Sequence, residues 1–101
     1  MAKSGTKVVQ FSRTEHVRVH PRVAEKRPWL HEEDVLHAWG SRLALAERPD
    51  GQLVALGFDA KGRQLEMVAL SSRGDVLIFH EQEPATKKTL RELGLERGGR
   101  Q

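Results

Sequence analysis

The sequence contains no cysteine, which excludes disulfide bridges and thiolate zinc sites. No apolar run approaches the ~20 residues that a membrane-spanning helix needs. The opening residues, MAKSGTKVVQF, lack the long apolar stretch of a secretory signal. A cytoplasmic protein with no membrane partner is expected. Nucleotide-binding loops are missing as well: GFDAKG and SSRG have turn chemistry, with no helix after them to hold a phosphate. No nucleophile stands beside a credible base. His16 and His20 are four residues apart, but Val17 follows His16, so the HExxH metalloprotease pattern is not present. His31 and His37 show no ligand spacing. Neither a metal nor a cofactor is expected.

The 101 residues that remain to be explained are 38% hydrophobic and 31% charged. This suits one small domain with one core, spanning 1–101, with an ordered core of about 7–95. Residues 1–6 and 96–101 are expected to be flexible ends. The net charge of +3 conceals a pattern. Residues 1–30 hold seven basic and two acidic side chains, residues 31–83 five and ten, and residues 84–101 five and two. Two basic ends therefore flank an acidic middle. Basic patches of this kind hold phosphate backbones or an acidic protein partner, although solvated surface charge is their commonest explanation.

KVVQF (7–11) reads as a short strand. Ser12 and Glu15 form a capping-box pattern for a helix to about Arg27, which Pro21 must kink or split. RPWLHEEDVLHAWGS reads as a second helix. Glu32, Glu33 and Asp34 suit its positive end, and Gly40 suits its terminus. Trp29 and Trp39 bracket it as packing residues. The period then changes to two. Strands are expected over 42–48, 52–58, 64–70 and 75–80, joined by the turns PDG, DAKG and SSRG. Alternation puts Val76, Ile78 and His80 on one face of the last strand, opposite Leu77 and Phe79. Residues 84–93 read as a final helix, with Pro84 at its start and Gly94 past its end. The expected fold is α+β: two N-terminal helices, a four-stranded antiparallel meander sheet and a short C-terminal helix.

HEQEPATKKTLREL (80–93) draws the eye for chemistry. Lys87 and Lys88 stand in the first turn of a helix, where cations are disfavoured by roughly 0.3–1 kcal/mol. With the unpaired N–H groups they would suit a phosphate; simple solvation is the plainer explanation. His80 ends an apolar strand and could move a proton in RNA cleavage, or serve only as a structural hydrogen-bonding group. Arg63 and Glu66 flank the start of the third strand. They could form an ion pair of little worth, or stabilise a developing phosphorane charge and act as a base.

HEEDVLHAW, LGFDAKGRQLEMV, and VLIFH leading into PATKKTLREL together resemble the BrnT-like toxins of bacterial type II toxin–antitoxin pairs, distant relatives of the RelE ribonucleases. The resemblance covers residues from about 12 to 93. It implies a metal-independent endoribonuclease that cleaves RNA and inhibits translation, and a cognate antitoxin encoded nearby. A homodimer or a toxin–antitoxin hetero-oligomer is the assembly it implies. Carried over by position, Arg63, Glu66 and His80 would be catalytic, and Lys87, Lys88 and Arg91 would hold RNA phosphate. EQE at 81–83 departs from the short small-residue link that usually follows the histidine. Its acids would repel RNA. The alternative is a non-catalytic protein-binding module of the same fold, a degenerate toxin. A helix-turn-helix DNA reader is disfavoured because its second helix would present an acidic end to DNA.

Overall fold

A computed structural model describes residues 16–95. The expected strand at 7–11, the Ser12–Glu15 capping box and the flexible ends lie outside the described residues. The order is β1 (His16–Val19), α1 (Pro21–Lys26), α2 (Glu32–Gly40), β2 (Ala44–Glu47), β3 (Leu53–Phe58), β4 (Gln64–Ser72), β5 (Asp75–Gln82) and α3 (Lys87–Glu92). The sheet has five strands in the order β1-β5-β4-β3-β2. Strands β2 to β5 form the expected antiparallel meander. No helix among the described residues is long and apolar enough to cross a membrane.

The N-terminal part departs from expectation. HVRV forms a strand, not a helix, and pairs in parallel with β5. Val17 and Val19 are half-buried while His16 and Arg18 are exposed, so this stretch has the two-residue period of a strand. Pro21 opens α1 instead of kinking a longer helix. Its fixed φ suits a first helical position and holds the preceding residue extended. His20 caps α1, its Nδ1 accepting from the Arg22 N–H at 3.0 Å. His16 and His20 therefore share no helix face.

Helix α2 forms as read, with Val35, Ala38 and Trp39 buried. Trp29, expected to pack, is 54% exposed. Helices α1 and α2 cover one sheet face, where Val23, Leu30, Val35 and Trp39 pack with Leu53, Leu65, Met67 and Ile78. Gly57 lets α2 come close: a Cβ there would collide with the Ala38 carbonyl oxygen.

Across the sheet, Val54, Leu56, Val68 and Glu66 are also buried. Helix α3 lies over this side, fixed by three polar ties. The Ala85 N–H donates to Gln64 Oε1 at 2.8 Å. The N–H and Oγ1 of Thr86 both donate to Glu66 Oε1, at 2.9 and 3.0 Å. Arg48 grips Glu92 through two hydrogen bonds of 2.9 Å. Helix α3 is shorter than expected: Thr86 is its cap, and Pro84 lies before it.

Candidate functional site

The ladder between β4 and β5 slips by one residue. Val68 pairs with His80, but Ala69 pairs with Ile78, leaving Phe79 without an opposite partner. This bulge reverses the alternation beyond it. Val76 and Ile78 point into the helix-covered core, and so does Glu81, while His80 is exposed. The expectation that His80 shares a face with Val76 and Ile78 is thereby corrected. Phe79 and His80 stand side by side facing the α3 side. An imidazole that regular alternation would bury is delivered to solvent.

His80 lines a groove of about 370 Å³, together with Glu66 and Val68 of β4, Phe79, Arg22 of α1, the α3 cap Thr86 and Lys88 of α3. Arg48 and Gln52 close its far wall. Val68 lies opposite His80 and Glu66 is two residues back along β4. Such diagonal neighbours lie roughly 7–8 Å apart on an ideal ladder. Burial lowers the His80 pKa below its usual 6.5. The Glu66 charge opposes this, and Lys26, Arg27 and Arg22 reinforce it. The lowered pKa favours the neutral imidazole, the form able to accept a proton.

Three of the six expected site residues, Glu66, His80 and Lys88, meet in this groove. Lys87 and Arg91 are exposed on α3 and do not line it. Arg63 lies elsewhere. Its Nε donates to Asp59 Oδ2 at 2.6 Å, and its Nη2 is 3.5 Å from Asp34 Oδ2. The expected Arg63–Glu66 ion pair is replaced by these contacts, which tie the β3–β4 turn to the start of α2. Burial alone would raise the Asp59 carboxyl, but hydrogen bonds from Arg63 and the Lys61 N–H hold it below the usual range. The phosphate site expected at the start of α3 is likewise occupied from within, since the Thr89 N–H donates to Thr86 Oγ1.

Arg22 and Arg48 were not foreseen as groove residues. Arg22 reaches the groove because α1 packs against β5, and no local signal marks that contact. Arg48 is a clamp on Glu92 and Gln52, not an open phosphate contact. Beside the groove, and sharing Arg22, Phe79 and His80 with it, lies a smaller pocket of about 230 Å³. Val23, Lys26, Arg27, Glu81 and Gln82 complete it. The Glu81 side chain is fully buried, with Arg27 Nε 2.9 Å from Oε1.

Among the described residues, no group of three or more His, Asp or Glu is placed to hold a metal ion. Comparison with family models, curated proteins and solved structures finds no match to this chain.

Proposed function

We propose that the chain is a BrnT-like toxin of RelE-type architecture that cleaves RNA without a metal. The groove between α1, β5 and α3 is its active site. The observation that carries this reading is the gathering of Arg22 from the basic first third and Lys88 from the basic last third around the exposed His80 imidazole. In this scheme His80 takes the proton of a ribose 2′-hydroxyl. The O2′–P bond forms, the P–O5′ bond breaks, and the departing oxygen takes a proton from solvent. The products are a 2′,3′-cyclic phosphate and a 5′-hydroxyl. Arg22 and Lys88 stabilise the charge that grows on the phosphorane, and Glu66 favours the imidazolium as it forms. Arg63 supports the scaffold around the site through Asp59 and Asp34.

One observation favours a second reading, a non-catalytic protein-binding module. Glu66 Oε1 already accepts two hydrogen bonds from Thr86, which suits a structural carboxylate. Inducible expression in a bacterial host separates the two. The toxin reading expects growth arrest, relieved by His80→Ala and by coexpression of the antitoxin, with RNA cut in vitro by the purified protein. Normal growth and intact RNA would leave the binding module.

A further inference from the structure

Phe79 and His80 border two pockets, and the mechanism uses only one. The second lies between α1 and the end of β5. Its lining is cationic at Arg22, Lys26 and Arg27. Arg27 Nε lies 2.9 Å from Oε1 of the fully buried Glu81, an ion pair that restrains the guanidinium. A fixed guanidinium loses less freedom when it meets an anion than a mobile one does. Lys26 is exposed, and its ammonium has no hydrogen bond or ion pair among the described residues. Phe79 and His80 form the wall common to both compartments.

We infer that the α1 pocket is a second phosphate subsite, one step along the strand from the cleaved bond, built by Lys26 and the Glu81-held Arg27. The ligand is then a single-stranded polynucleotide spanning two consecutive phosphates. One phosphate sits at Arg22, His80 and Lys88, the next at Lys26 and Arg27. The inference rests on the RNA-cleaving reading for the placement of the first phosphate. A duplex holds its phosphates on a rigid outer track, whereas a single strand can bend around the Phe79–His80 ridge and stack a base on it.

The test is equilibrium binding of short 2′-O-methyl RNAs, which lack the attacking hydroxyl, followed by fluorescence anisotropy. A trinucleotide with two internal phosphates is expected to bind at least tenfold tighter than a dinucleotide with one. Lys26→Gln should erase most of that gain, and Lys26→Arg should restore it. The slope of log affinity against log salt should fall by roughly 0.7 in Lys26→Gln, the value for one lost single-strand contact. Equal affinity for the two lengths, or an unchanged slope in Lys26→Gln, overturns the subsite even if the protein cuts RNA. A length effect that depends on Lys26, found in a protein that cuts no RNA, keeps the subsite and removes the nuclease.

Discussion

At the scale of single residues, the proposed chemistry stands or falls with His80, and Thr86 ties α3 to the sheet. Burial and the cations of α1 put the His80 pKa below 6.5. If the imidazole is the base, the rate of RNA cleavage should rise with pH through a pKa below 6.5 and then level. His80→Gln should lower the plateau by about 10²–10⁴-fold, the usual worth of a positioned base. A rising limb centred above pH 7, or a variant that cuts at the wild-type rate, would remove His80 from that role. Thr86 acts on stability. Its Oγ1 caps α3 and donates to the buried Glu66. Thr86→Ala loses both contacts and leaves Glu66 one donor short, so a loss of about 1–2 kcal/mol is expected in urea unfolding. Thr86→Ser keeps both contacts and should stay within ~0.5 kcal/mol of wild type. Equal losses in the two variants would show that the methyl group, not the hydroxyl, is what matters.

At the scale of elements, the seam between α2 and β3 leaves no room for a side chain at Gly57. Gly57→Ala places a methyl group against the Ala38 carbonyl, where backbone must move. Destabilisation of about 1–3 kcal/mol or more is expected as a lower urea midpoint. A neutral result would mean that α2 slides freely over the sheet. Elements defined by local pattern were legible in the sequence. Strands β2 to β5 follow from their period of two and their turn residues, and Arg73 and Gly74 take the positive φ values that the SSRG turn needs. Helix α2 follows from its acidic first turn and apolar spacing. What escaped depends on distant partners. HVRV is too short to declare itself. It becomes a strand because β5, some sixty residues later, supplies hydrogen bonds, and a capping-box pattern upstream argued for a helix. The bulge at Phe79 leaves no mark in VLIFH, so a two-residue period read through it puts His80 on the wrong face. Glu66, His80 and Lys88 could be picked as reactive types in suggestive places. Arg22 enters the groove only through the packing of α1 on β5.

For the whole molecule, the fold turns a linear charge pattern into a local one. Of the ten acids of the middle segment, Asp34 and Asp59 are engaged by Arg63, Glu81 by Arg27 and Glu66 by Thr86. The basic ends keep cations for the two pockets. Glu81 is the expensive member of this arrangement. Burial pushes its carboxyl up to about 7, against the pull of Arg27. Between the ordinary 4.5 and about 7, the folded protein binds a proton here that the unfolded chain has released. Stability from this group therefore falls as pH rises through that window, by roughly 3 kcal/mol in all. His80 works in the opposite sense, because its depressed pKa costs stability in acid and the cost vanishes as pH rises to 6.5. Asp59 and Glu92, both lowered, contribute stability above the ordinary carboxylate range and lose it as pH falls through their folded values. Comparing Glu81→Gln with wild type at each pH cancels the other groups. The variant keeps the shape and discards the charge, and Arg27, partly exposed, turns its head to water. Its stability relative to wild type should therefore climb from pH 5 to pH 8, making it the more stable protein at pH 8. A relative stability that stays flat or declines over that range would mean that Arg27 keeps Glu81 ionised throughout, and that the ion pair is a net support for α1 on the sheet.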